Sequence, residues 1–163
     1  QSRPRLSSAI HDDALVIGAS GGIGRAMLAE MERRGGNVTA LSRSQDGLDV
    51  TDPASLARDG FRGDRFEALV SCMASRTGMA RDAWAIDHKA HVDMLPPARQ
   101  AGISHVVLLS AICVQKPQLA FQKAKLAAEQ ALVSSGLRYS IVRPTAFFKS
   151  LSGQVARLQI VGP

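Results

Sequence analysis

Leu15-Val16-Ile17-Gly18-Ala19-Ser20-Gly21-Gly22-Ile23-Gly24 decides how the rest of this chain is read, because a short apolar run breaks there into glycines and restarts as an amphipathic helix. Val16 and Ile17 have the character of a buried strand. Gly18 permits the sharp exit from it, and Gly21 lets the backbone approach a pyrophosphate with no side chain in the way. Gly24 removes a Cβ where the following helix must pack on the strand. That helix turns its unpaired N–H groups and the positive end of its dipole towards the same point. A glycine-rich turn alone is a weak signal, but strand before and helix after is the setting that a dinucleotide phosphate requires. Gly18, Ser20, Gly21, Gly22, Ile23 and Gly24 are therefore candidate cofactor contacts.

Downstream, the first helix runs from Gly22 to Arg34 with Ile23, Met27 and Met31 on one face, and Gly35 stops it. Asn37 to Leu41 reads as the second strand and ends in Ser42-Arg43-Ser44, about twenty residues past the last loop glycine. An NAD site places an acid there for the ribose hydroxyls, whereas an NADP site places a cation for the 2′-phosphate. No Asp or Glu occurs until Asp46, so Arg43 and its neighbour Ser42 point to NADPH. Asp49-Val50-Thr51-Asp52-Pro53 reads as a very short third strand leading into a helix capped by Asp52, with Pro53 at its first position. Asp49 could face the adenine or could be a plain turn aspartate.

Phe66 to Cys72 is the expected fourth strand, and its carboxyl end, Cys72 to Arg76, should meet the cofactor where the strand order reverses. Arg76 and Arg81 read as solvent-facing residues of that loop. Ala83 to Leu95 has a helical pattern with Trp84, Ile86, Ala90 and Leu95 apolar, and Pro96-Pro97 should break it. His88 and His91 beside Asp87 and Asp93 read as a solvated helix face, since no third ligand of a metal is marked elsewhere. His105 to Ser110 is almost wholly apolar, as a central parallel strand covered on both faces would be. A helix from Pro117 to about Gly136 carries Phe121, Lys123, Lys125 and Glu129. Arg138 to Pro144 is the expected sixth strand, with Pro144 a further candidate cofactor contact, and Ala146 to Arg157 a last helix. This alternation predicts a doubly wound α/β parallel sheet in the order 3-2-1-4-5-6, with right-handed crossovers.

At 163 residues and 45% hydrophobic composition the chain suits one domain, expected over residues 13–163, with residues 1–12 as a disordered arm. The formal net charge of +6 rests mostly on arginines that are scattered, and one Trp and one Tyr supply no stacking surface. An anionic small molecule fits that pattern better than nucleic acid. Cys72 and Cys113 lie in apolar surroundings near expected strand ends, which suggests two free thiols in a reduced compartment. No stretch approaches the roughly eighteen uninterrupted apolar residues of a membrane span, and the first residues lack the apolar core of a secretory signal. The chain has no initiator Met, so a processed protein or a fragment is expected.

The Gly18-x-x-Gly21-x-x-Gly24 spacing resembles the extended and atypical branches of the short-chain dehydrogenase/reductase superfamily. More narrowly, Val70 to Gly78 (VSCMASRTG), Leu108 to Pro117 (LLSAICVQKP), Phe121-Gln122-x-Ala124-Lys125-Leu126 and Ser140 to Ser150 (SIVRPTAFFKS) are similar to the divinyl chlorophyllide 8-vinyl reductases, over about residues 13–155. The resemblance implies an NADPH-dependent reductase that converts the 8-vinyl group of a tetrapyrrole, chlorophyllide or protochlorophyllide, to ethyl. It further implies a chloroplast, or alternatively a bacterial cytoplasm, and leaves the oligomeric state open. Where the superfamily usually carries Tyr-x-x-x-Lys, this chain has Phe121 and Lys125, one helical turn apart. Lys125 is then expected to bond the nicotinamide ribose, and Ser110, at a strand end, to be the second catalytic candidate. Phenylalanine has no proton to donate, which fits reduction of a carbon–carbon double bond whose conjugated macrocycle takes up the charge. Such reductases continue past this length and use the remainder for substrate, so this chain alone is expected to hold cofactor without turnover. A non-catalytic NADP-binding regulator or assembly subunit, which would also lose the Tyr, is the alternative.

Overall fold

Leu15, Val16 and Ile17 expose no surface at all, the condition of a strand covered on both faces. In the computed structural model, which describes residues 13–145, they form the middle of β1 (Asp13–Ile17). With β2 (Asn37–Leu41), β3 (Ala68–Ser71), β4 (His105–Leu109) and β5 (Arg138–Val142) it builds one sheet in the order β2-β1-β3-β4-β5, every neighbouring pair parallel. Val16 stands opposite Ala40 on one side and Val70 on the other.

The helical elements are α1 (Gly22–Arg33), α2 (Arg43–Asp46), α3 (Pro53–Ser55), α4 (Ala80–Asp82), α5 (His91–Asp93), α6 (Leu95–Gln100) and α7 (Ala120–Ser134). Two π-helical segments extend them, Leu56–Phe61 after α3 and Ala83–Ala90 after α4. The strands' alternating side chains feed two apolar layers. On one face Val16, Ala19 and Val70 meet Met27, Leu28 and Met31 of α1. On the other, Leu15, Ile17, Leu69, Val106 and Leu108 pack with Leu56, Phe61, Ala90, Met94, Ala98 and Leu132. α1 ends at Arg34 and Gly35 as the sequence suggests, Gly35 taking φ +79°. Asp52 caps α3 by accepting from the Ala54 N–H at 3.0 Å, with Pro53 in the first turn.

The doubly wound parallel arrangement is present, but the expected order 3-2-1-4-5-6 is not, because its third strand is a turn. Asp49 Oδ1 accepts from the Thr51 N–H at 2.9 Å and hydroxyl at 2.7 Å, and the Asp52 N–H bonds the Asp49 carbonyl at 3.2 Å. A side chain that closes the backbone on itself removes the groups a ladder would use. The strands expected as fourth, fifth and sixth are β3, β4 and β5, so among the described residues the sheet has five strands. The break at the prolines is found: α5 ends at Asp93, and Pro96 and Pro97 lie in the first turn of α6, where missing N–H groups cost little. The face of the preceding segment differs from expectation, since Trp84 is 43% exposed while Ala83, Asp87, Ala90 and His91 are buried. The helix expected over Ala146 to Arg157 and the arm over residues 1–12 lie outside the described residues.

Candidate functional site

The chain leaves β1 at Gly18, runs out to β2, and returns past β1 to β3, so the carboxyl ends of β1 and β3 flank the point where strand order reverses. They are very close together there. A Cβ on Gly18, which sits at φ +83°, would stand 2.8 Å from the Cys72 carbonyl carbon, and one on Gly24 would stand 2.2 Å from the Gly18 oxygen. Gly18 and Gly24 thus let the chain pass close to itself. Gly21 and Gly22 are different: a Cβ on Gly21 would meet only the Gly18 oxygen at 3.4 Å, and one on Gly22 nothing within 4 Å. Their open side faces a cleft, and Gly21, which precedes α1, offers no side-chain acceptor to the first-turn N–H groups.

That cleft has a volume of about 860 Å³. Of the expected cofactor contacts it brings together Gly18, Ser20, Gly21, Gly22, Ile23, Gly24, Ser42, Arg43 and Cys72, with Leu41, Leu48, Val50 and Ile86 as apolar wall. Among the described residues, Arg25, Arg43 and Arg76 line it against a single carboxylate, Asp82, which accepts a hydrogen bond from the Thr77 hydroxyl. Arg76 is exposed, as expected, and also lines the cleft. The two acids nearest the end of β2 are turned elsewhere. Asp46 accepts from the Ser42 N–H at 2.8 Å and lies 3.7 Å from Arg62. Asp49 is held below the usual carboxylate range chiefly by its bond from the Thr51 hydroxyl, with Arg43 contributing. Burial pushes the Cys72 thiol up to about 11, so it keeps its proton at neutral pH.

Four candidates do not line the cleft: Asp49, Ser110, Lys125 and Pro144. The Pro144 carbonyl accepts from the Ile112 N–H at 3.0 Å, pinning the segment after β5 to the one after β4. Ser110 follows β4; its N–H donates to the Val142 carbonyl at 2.8 Å, while its buried hydroxyl has no partner among the described residues. Lys125 enters from α7 and is buried. Its Nζ lies 3.2 Å from Asp87 Oδ1 and donates to the Leu109 carbonyl at 3.1 Å. Asp87 also accepts from the N–H and hydroxyl of Ser75, in the cleft wall. Phe121 stands one turn before Lys125 on α7, as the spacing requires.

The solvated face expected around Asp87 and His91 is overturned, for both are buried polar residues with assigned partners. His91 Nδ1 lies 2.9 Å from the Ile86 carbonyl and Nε2 lies 2.9 Å from the Ser71 hydroxyl. A carbonyl only accepts, so Nδ1 carries the proton and Nε2 of the neutral ring receives the serine O–H. Burial first, then the nearby charge of Lys125, lowers the ring's pKa from 6.5 to about 4. Periodicity hid these residues because it assigns polar positions to water; the four-residue spacing of Ala83, Asp87 and His91 was the available signal. Cys113 corrects a second expectation: it is exposed, in the left-handed region at φ +67°, and only Cys72 lies partly buried at a strand end. Both are free thiols.

These residues suit a dinucleotide: a cradle that extra Cβ atoms would fill, a helix start with donors to spare, and cations in place of acids. A family model described as NAD(P)H-binding matches residues 18–159. The chain belongs to that NAD(P)H-binding family. It is homologous to the divinyl chlorophyllide a 8-vinyl-reductase of Zea mays, named as chloroplastic, at 44% identity over 93% of this chain and 44% of the relative. A photosystem II assembly factor, Ycf39 of Cyanophora paradoxa, is 27% identical over 87% of this chain and 48% of the relative. This NAD(P)H-binding chain thus spans less than half the length of either relative. The Bordetella bronchiseptica enzyme WbmG, solved in complex with NAD, shares the fold with a TM-score of 0.72 at 17% identity, over 87% of this chain and 55% of the other. No described helix is long and apolar enough to cross a membrane.

Proposed function

We propose that this chain holds NADPH for a reductase that converts the 8-vinyl group of divinyl chlorophyllide or protochlorophyllide to ethyl in chlorophyll biosynthesis. The observation that carries the reading is the 44% identity to the maize 8-vinyl reductase over nearly the whole chain. The cleft supports the choice of cofactor, because among the described residues Arg25, Arg43 and Arg76 face one carboxylate and the acids that could serve an NAD ribose are engaged elsewhere. NADPH, when bound, supplies the hydride. In this reading the glycine loop and the start of α1 take the pyrophosphate, Arg43 with Ser42 takes the 2′-phosphate, and Lys125 serves the nicotinamide ribose. Ethyl formation takes one hydride from NADPH and one proton at the second carbon; Phe121 does not supply that proton, which in this reading comes from solvent. Residues 13–163 form the NADPH-binding portion, and the macrocycle's wall belongs to sequence of the kind the relatives carry beyond it. The chloroplast of the plant relatives is the proposed compartment, a bacterial cytoplasm the alternative.

Calorimetric titration with NADPH and NADH tests the cofactor. A charge-assisted contact to the 2′-phosphate is worth about 1.5–3 kcal/mol, or about ten- to a hundredfold in affinity. Equal affinities, or no loss in Arg43→Ala, would refute the preference. A single-turnover assay with NADPH and divinyl chlorophyllide, on this chain and on one extended with the relatives' remaining sequence, tests the reaction; failure of both to form the ethyl product would refute it. The similarity to a photosystem II assembly factor favours a second reading, a non-catalytic NADP-binding assembly subunit. It predicts cofactor binding with no turnover in either chain.

A further inference from the structure

The π-helical segment Ala83–Ala90 carries Asp87 into the interior, behind the cleft wall formed by Cys72 to Thr77. Its carboxylate is 1% exposed and serves two elements at once. One is the wall itself, through the N–H and hydroxyl of Ser75. The other is α7, through Lys125 Nζ at 3.2 Å, whose side chain is 8% exposed. An ammonium has three N–H donors and no acceptor. The Leu109 carbonyl takes one of them, and Asp87 stands in ion-pair contact with the same nitrogen. One residue further on, the buried Ser110 hydroxyl has no partner among the described residues. Lys125 also stands near enough to Cys72, a cleft residue, for its charge to act on that thiol. Burying an ion pair takes both charges out of water, and neutral residues of similar volume often serve stability as well. The pair is therefore poorly explained by stability alone, and its place between the cleft wall and a lysine with a donor to spare suggests what it does.

We propose that Asp87 is a positioning residue of the cofactor site: it fastens the Cys72–Thr77 wall, through Ser75, to Lys125, and so sets the lysine's remaining donor relative to the nicotinamide ribose. This rests on the NADPH reading above. Without the carboxylate, Lys125 keeps the Leu109 carbonyl but loses its ion-pair partner, and Ser75 loses the group that receives both its N–H and its hydroxyl. The wall and the lysine then move independently, and a ligand that must touch both pays for bringing them together.

The test measures NADPH affinity by calorimetry and thermal midpoint by circular dichroism on the full chain, Asp87→Asn, Lys125→Met and the double variant. Asp87→Asn is expected to weaken NADPH about tenfold, as loss of one charge-assisted contact would. Lys125→Met should weaken it similarly, and the double variant no further, because Asp87 acts through Lys125. The midpoint lost in Asp87→Asn should return in the double variant, where no unpaired charge is buried. Recovery of stability without recovery of affinity is a result that a merely structural pair cannot give, since neutralising it would restore both. Wild-type affinity in Asp87→Asn, or fully additive losses, would overturn the proposal. Should Asp87→Asn fail to fold, Asp87→Glu keeps the charge and moves the carboxylate one methylene outward. Severalfold weaker binding at an unchanged midpoint then supports the proposal, and unchanged affinity overturns it. Absence of NADPH binding in the wild-type chain overturns the cofactor reading and this proposal with it, whereas the other negative results overturn this proposal alone.

Discussion

Lowering the pH from 7 to 5 should destabilise this protein through one imidazole, His91. The folded ring is neutral, 3% exposed, and bound at both nitrogens, so its pKa falls from 6.5 to about 4. The unfolded chain takes up this proton below about pH 6.5, and the folded chain resists until about pH 4. The stabilisation is therefore fully present above the unfolded pKa and is lost as the pH falls between the two values. Each pH unit is worth about 1.4 kcal/mol, giving a loss of about 2 kcal/mol by pH 5 and about 3 kcal/mol by pH 4. With a urea m-value of about 2 kcal/mol/M, the midpoint should fall by about 1 M between pH 7 and pH 5. Equilibrium urea unfolding of wild type and His91→Gln at half-unit steps over that range is the assay. The variant starts less stable, having lost one of two ring bonds, but its midpoint should be nearly flat until the carboxylates begin to titrate. Parallel declines in the two proteins between pH 6.5 and pH 5 would show that His91 is not the group responsible.

Three further outcomes follow from the same geometry. Gly24→Ala places a methyl carbon 2.2 Å from the Gly18 oxygen, so it should cost about 1–3 kcal/mol in thermal unfolding and weaken cofactor binding, whereas Gly22→Ala, with nothing within 4 Å, should leave stability unchanged or raise it. Iodoacetamide at pH 8 should label Cys113 first and leave Cys72 largely unmodified by mass spectrometry, since Cys113 is exposed and the Cys72 thiol titrates at about 11. Arg143→Met strands the buried Glu129 carboxylate that Arg143 Nε now bonds at 3.0 Å; it should lower stability by about 2 kcal/mol in urea melts, and Arg143→Met with Glu129→Gln should recover most of the loss.

The parts of this fold that could be read from the residues are those whose reasons are local. A strand, three spaced glycines and a helix carry their geometry in their order, so the cradle, the end of α1 at Gly35 and the cation at Arg43 were all visible. Asp49 was ambiguous for a local reason as well: the chemistry that makes an aspartate close a turn onto Thr51 competes directly with strand pairing, and five residues give periodicity little to work on. Asp87 and His91 were misread because their partners come from other elements, Lys125 of α7 and Ser71 of β3. A polar residue with a distant partner has the same sequence signature as one facing water. The sequence singles out Lys125 and Ser110, but not the carboxylate and carbonyl that the lysine meets.

The π-helical segment Ala83–Ala90 makes this stretch unusually intolerant of changes in length. A wide turn of this kind is an α-helix holding one residue more than its usual bonding ladder accommodates. Deleting a residue between Asp87 and His91 would shorten their spacing from four residues to three and turn one side chain by roughly 100° about the helix axis relative to the other. Asp87 and His91 could not then meet Lys125 and Ser71 at the same time. Most surface helices absorb a lost residue in the nearest loop, but here the cut would pass between two buried polar groups that have to arrive together. In diverging copies of this gene, substitutions along the segment's exposed side should accumulate freely while its residue count stays constant.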